Sequence, residues 1–157
     1  MNGALDLEID RVIAAPRERV WRAWSDPRRL ERWWVPAPAR CRVEELELTP
    51  GGGFRTSIST DDGDFVPHLT ACVLAVEPGA RLVFTDALAA GWRPARQPFM
   101  TAVITLAEHP DGTRYHARVM HRDAQDRATH ERLGFLDGWG TVAAQLAALV
   151  EAEAVAR

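Results

Sequence analysis

At 157 residues the chain has the usual length of one domain and can bury a core without disulfides or a metal to hold it together. Hydrophobic residues make up 46% and charged residues 26%, ordinary globular proportions that leave no room for a large disordered segment. A net charge of -3, with arginines dispersed and no basic block, excludes the electrostatic footprint of a nucleic-acid binder, and no run approaches the ~20 apolar residues of a membrane span.

The chain opens with Leu5, Leu7 and Ile9, then Val12 and Ile13, a two-residue period interrupted near Arg11. This predicts a first strand with a bulge or a change of exposed face. Pro16 suits a first helical turn, and Val20, Trp21 and Trp24 then share one side of a short helix. Asp26-Pro27 reads as the N-cap and first residue of a second short helix, with Leu30, Trp33 and Trp34 at helical spacing. Adjacent tryptophans on a helix diverge by about 100°, so only one of Trp33 and Trp34 is expected to face fully inward and line a cavity.

From residue 39 to 122 the pattern is β, with runs at 40–48, 53–60, 64–77, 80–87, 99–108 and 113–122. Pro50-Gly51-Gly52-Gly53, Asp61-Asp62-Gly63, Pro78-Gly79 and Pro110-Asp111-Gly112 supply hairpin turns between them. The exception is the longer connection Ala87–Pro98, which holds Trp92 and is of a length that often carries function. From Asp123 onward the period is helical: Leu136, Trp139, Ala143, Leu146 and Val150 form a stripe flanked by Leu133, Phe135, Val142 and Leu149. The expectation is one helix of about eight turns.

These elements predict an α+β fold. A curved antiparallel sheet of about seven strands wraps around a long C-terminal helix, and two short helices follow the first strand. A curved sheet cannot touch a straight helix along its whole length, so a cavity is expected between them. Residues 1–157 are read as a single ligand-binding domain.

Several segments together resemble the activator-of-heat-shock-protein-ATPase-homologue-like (AHSA-type) family of the START/polyketide-cyclase/birch-allergen (SRPBCC) superfamily. The resemblance starts with the run from Ala15 to Pro27, Ala-Pro-Arg-Glu-Arg-Val-Trp-Arg-Ala-Trp-Ser-Asp-Pro, and returns at Leu30-Glu31-Arg32-Trp33-Trp34 and Pro50-Gly51-Gly52-Gly53-Phe54. It continues through Glu77-Pro78-Gly79-Ala80-Arg81-Leu82-Val83-Phe84-Thr85, Gly112-Thr113-Arg114-Tyr115 and the run from His130 to Gly140. The resemblance implies a helix-grip fold with a ligand cavity, and it names no ligand. It also implies a chaperone as a conceivable partner, met through the outer surface. Eukaryotic chaperone activators of the family carry an additional N-terminal domain, whereas this sequence begins at the first strand of the shared one, so that reading ranks third.

No HxH, HExxH or clustered Cys/His spacing is present, so neither a metal nor another cofactor is expected. Cys41 and Cys72 read as small buried thiols, and the N-terminus lacks a signal-peptide pattern, so the expected location is cytoplasmic. His130 has Arg127 and Arg132 for neighbours and reads as solvated. Strand alternation sends Leu82 and Phe84 inward with Asp86 at their end, and Tyr115, Ala117 and Val119 inward with His121 at theirs. The candidate ligand-binding set is therefore Trp34, Phe84, Asp86, Trp92, Tyr115, Val119, His121, Phe135 and Trp139, with Asp86 and His121 meeting the polar end of a small hydrophobic molecule. The alternative is a cyclase-like or hydratase-like enzyme using the same two groups. Glycines at 134, 138 and 140 each weaken a helix by ~1 kcal/mol, with close packing on the sheet the favoured reason and a widened pocket the other.

Overall fold

The computed structural model describes residues 3–155. Strand β1 (Asp6–Ile13) leads into helices α1 (Arg17–Ser25) and α2 (Pro27–Leu30). Strands β2 (Arg40–Leu46), β3 (Gly53–Ser59), β4 (Val66–Glu77) and β5 (Arg81–Thr85) follow. A small ribbon of β6 (Leu88–Ala89) and β7 (Arg93–Pro94) precedes β8 (Thr101–His109) and β9 (Gly112–Met120), and α3 (Ala124–Arg132) and α4 (Phe135–Val155) complete the order. Seven strands form one antiparallel sheet in the order β1-β9-β8-β5-β4-β3-β2, wrapped around the C-terminal helix in the helix-grip arrangement.

β1 pairs with β9 without interruption from Asp6↔Met120 to Ile13↔Thr113, so the expected bulge near Arg11 is absent. The alternation continues through Arg11, and Val12 faces outward. The irregularities lie elsewhere, between Val43 and Glu45, Thr56 and Ser57, and Val73 and Ala75. Asp26 caps α2 as its position suggests, its carboxylate accepting from the Arg28 N–H at 2.9 Å, with Pro27 at the first helical position.

The C-terminal helix is not one rod. Gly134, at φ +93°, breaks it, and α3 meets α4 at 62°. The break resets the helical phase: Phe135, Val142, Ala143, Leu146, Ala147 and Val150 are buried, whereas Leu136 is 58% exposed. One residue on a helix is 100°, which is why the expected stripe is right at 143, 146 and 150 and one position off at its start. Among the described residues no single helix is long and apolar enough to cross a membrane.

Gln145 ties α4 to the segment after α2. Its Nε2 donates to the carbonyls of Trp33 (2.9 Å) and Val35 (2.8 Å), and its Oε1 accepts from the Ala37 N–H at 2.8 Å. The carboxylate of Glu153 pairs with Arg29, and that of Glu151 accepts from the Ala14 N–H at 2.8 Å. These contacts hold both neighbouring tryptophans inside, contrary to the expectation of one. The segment after α2 is turns rather than helix, so Trp33 sends its Nε1 to the Ala23 carbonyl (2.9 Å) while Trp34 turns toward α4. Cys41 and Cys72 are free and buried, and desolvation pushes the Cys41 thiol up to about 12.

Candidate functional site

A cavity of about 450 Å³ opens between the sheet and the bend of the C-terminal helices. The bend and α4 contribute Leu133, Gly134, Phe135, Gly138, Trp139 and Val142. Trp34 and Pro36 come from the segment that Gln145 holds. His68 and Leu69 come from β4, Asp86 from the end of β5, Phe99 and Met100 from the approach to β8, and His130 from α3. Trp34 and Trp139 meet edge to face at 5.9 Å between centroids, and Phe135 stacks on Trp139 at 5.5 Å, so one end of the cavity is an aromatic wall.

Gly138 bears on the opening. A Cβ added at Gly134, Gly138 or Gly140 would meet nothing within 4 Å, so close packing on the sheet is not what these positions provide. Gly138 faces the cavity, where a side chain would take up space. For Gly138 the widened-pocket explanation is the one the geometry favours, whereas Gly134 serves the break through its positive φ.

The polar end of the site is built around two histidines. His121, just beyond β9, is buried, with Nδ1 2.9 Å from the Leu5 carbonyl and Nε2 2.8 Å from Nδ1 of His130. His130 is thus not the solvated residue its arginine neighbours suggest. Its ring packs at 4.9 Å from Phe99 and 5.1 Å from Phe135, and burial, together with the cost of a second positive charge beside the His121 ring, lowers its pKa to about 4. Helical periodicity alone misses it because α3 has no apolar stripe to orient it. The signal that does mark it is its place four residues before Gly134, one turn ahead of the break.

Of the nine candidate residues, Trp34, Asp86, Phe135 and Trp139 meet at this cavity. Phe84, Tyr115 and Val119 point inward as alternation predicts, but are sealed in the core: Phe84 lies 5.1 Å from Phe54 and 6.2 Å from both Trp24 and Trp34. Tyr115 is fully enclosed, and desolvation raises its phenol pKa, so it stays protonated. His121 reaches the cavity only through His130 and otherwise borders a separate hollow beside Phe99 and Met120.

Trp92 is elsewhere. The connection that carries it folds into the β6–β7 ribbon around a tight turn, where Trp92 adopts φ 64° and lies half exposed over Gly51. A Cβ at Gly51 would meet the Trp92 Nε1 at 2.6 Å, so that glycine provides the seat, and the Gly91 N–H bonds the Gly51 carbonyl at 2.8 Å. Trp92 therefore anchors the loop, and Phe99 and Met100, which the sequence did not single out, take the place beside the cavity. Asp86 has a structural task as well: its Oδ1 accepts from the N–H groups of Phe99 (2.7 Å) and Met100 (2.9 Å) and so shapes the loop that presents them. Among the described residues there is no group of three or more His, Cys, Asp or Glu side chains arranged to hold a metal ion.

Comparison with known proteins agrees with this fold. The solved structure of protein NE0264 from Nitrosomonas europaea is 40% identical, with 99% of each chain covered and a TM-score of 0.89. Protein Ms6760 from Mycobacterium smegmatis is 28% identical over 93% of this chain and 90% of its own, with a TM-score of 0.77. An AHSA1-like protein from Aeromonas hydrophila shares the fold at 22% identity, covering 96% of this chain and 94% of its own with a TM-score of 0.69. Among curated proteins no match was found. The family model described as "Activator of Hsp90 ATPase homolog 1-like protein" matches residues 14–151, and the chain belongs to that family, within the SRPBCC superfamily.

Proposed function

We propose that the protein binds a small, partly hydrophobic molecule in the cavity between Trp34, Trp139 and His130. The observation that carries this reading is the cavity of about 450 Å³ lined by an aromatic wall and by Gly138, where no side chain takes up the space. The ligand's apolar body lies against Trp34, Phe135 and Trp139, and its polar end reaches His130 and Asp86. Compared with the arrangement expected from the sequence, His130 replaces His121 as the contact and Trp92 drops out. Burying ~200 Å² of apolar ligand surface supplies roughly 5 kcal/mol before the cost of association, so micromolar binding needs the polar contacts too. The reading includes residues 1–157 acting as one ligand-binding domain in the cytoplasm, where the two free cysteines stay reduced.

The second reading, a cyclase-like or hydratase-like enzyme, is favoured by one observation, an imidazole at the cavity wall backed by another. It ranks lower because a group with its pKa lowered to about 4 is a weak base at neutral pH. Native mass spectrometry of the purified protein, followed by titration with aromatic and aliphatic probes read by tryptophan fluorescence, tests the binding reading. A carried-over small molecule that naphthalene-sized probes displace is the expected result. No bound molecule and no probe response would dismiss it.

A further inference from the structure

The hydrogen-bond chain behind the cavity has a direction, and that direction restricts what the polar end of a ligand can be. The Leu5 carbonyl can only accept, so the His121 Nδ1 that lies 2.9 Å away carries a proton. In neutral His121 the other nitrogen, Nε2, is then a lone pair. It lies 2.8 Å from Nδ1 of His130, which must therefore be the donor, and this leaves Nε2 of His130 as a lone pair with no hydrogen bond from the described residues. A backbone carbonyl thus sets, through two rings, which kind of group the cavity wall offers.

A second, independent observation is the charge of the wall. Among the described residues no arginine lines the cavity and the one carboxylate there is Asp86, and the chain has no lysine. The two imidazoles on the wall, His130 and His68, both have their pKa values lowered by desolvation, so neither supplies a cation near neutral pH. An anionic ligand end would meet a carboxylate and a lone pair with no positive charge to offset them.

We propose that the cavity selects an uncharged ligand ending in a hydrogen-bond donor, an alcohol or a phenol rather than a carboxylate, and that Nε2 of His130 accepts a hydrogen bond from the hydroxyl, whose proton stays on its oxygen. This rests on the reading of the cavity as a ligand site. His121 is the positioning residue: it touches no ligand and acts by holding the proton of His130 on Nδ1.

Three probes of one shape test this on the intact protein near neutral pH: naphthol, its methyl ether, which has no donor, and naphthoate, titrated by calorimetry. Long-range proton–nitrogen NMR of the unliganded protein reads the His130 tautomer directly. The expected result is naphthol about fivefold to tenfold tighter than the ether, naphthoate weakest, and His130 protonated on Nδ1. His130→Phe should bring naphthol and the ether to equal affinity, and should that variant not fold, the wild-type probe order and the tautomer spectra still decide. Naphthoate binding tightest, naphthol and ether binding equally, or a proton on Nε2 of His130 would each overturn the proposal. Failure of all three probes to bind would instead overturn the cavity reading beneath it, and the proposal with it, even with the proton on Nδ1.

Discussion

Trp24 and Trp139 are both large rings set between helix and sheet, and they end in opposite surroundings. Trp24 is sealed: Trp33 and Trp34 stand edge-on at 4.9 and 5.1 Å, and Phe54 and Phe84 close the far side at 6.3 and 6.2 Å. Trp139 has Phe135 stacked on one face and Trp34 at its edge, but its own helix carries glycine at 138 and 140, and the cavity opens beside it. The same residue type serves a core in one place and a binding wall in the other. What differs is whether neighbouring positions supply side-chain volume, and α4 withholds it where the helix bends.

That contrast should break most visibly at Trp24. Trp24→Ala is expected to cost about 3–5 kcal/mol in denaturant unfolding, the range for deleting an enclosed aromatic ring; a loss below about 1 kcal/mol would mean that this half of the interior is not tightly packed. Trp139→Ala should instead cost about 1–2 kcal/mol, because its ring is only partly buried, while weakening naphthalene-sized probes by about tenfold or more in calorimetry. Equal losses of stability in the two variants would erase the distinction between the halves.

The polar end adds a pH signature. His130 has its pKa lowered to about 4 in the folded protein, below the unfolded value of about 6.5, so between these values the unfolded chain binds the proton more strongly. This contribution to stability is complete above about pH 6.5 and is lost as the pH falls toward 4. After discounting for the partial exposure of the ring it amounts to about 1 kcal/mol, and it should vanish from the pH–stability profile of His130→Phe.

Gly138 sharpens the comparison from the other side. Gly138→Ala should raise stability by about 0.5–1 kcal/mol, since the helix gains propensity and the new Cβ meets nothing within 4 Å. Gly138→Leu should keep the fold and lose probe binding, because its side chain occupies the cavity; retained binding would show that the ligand lies elsewhere. The smallest effect belongs to Arg114→Ala on the outer face of β9, where the side chain pairs with Asp10 in water. Neither thermal unfolding nor probe affinity should change measurably.

Much of the fold was legible because its signals are local. Gly51, Gly79 and Gly112 adopt the positive φ values their turns require, and strand alternation correctly turned Phe84, Tyr115 and Val119 inward. The site was less legible because its signals are not local. Asp86 reads from sequence as a strand-end acid free to meet a ligand, yet the N–H groups of Phe99 and Met100, thirteen and fourteen residues away, bind it. Trp92 reads as a candidate ligand contact until its seat on Gly51 is known, and no pattern within a single window connects those two residues.

The sequence by itself determined the order of the main strands and helices, the inward parity of the sheet and the capped start of α2, because backbone geometry imposes periods of 2 and 3.6 that side chains must follow, and its motifs carried the resemblance to the family. Tertiary structure alone decided where the interior stays open and which imidazoles line it. His121 and Leu5 are 116 residues apart, His130 joins them only because α3 and α4 meet at a bend, and the proton order along that chain follows from contact rather than from sequence spacing. Hydrogen-bond direction and unfilled volume are properties of neighbours in space, and no run of residues encodes them locally.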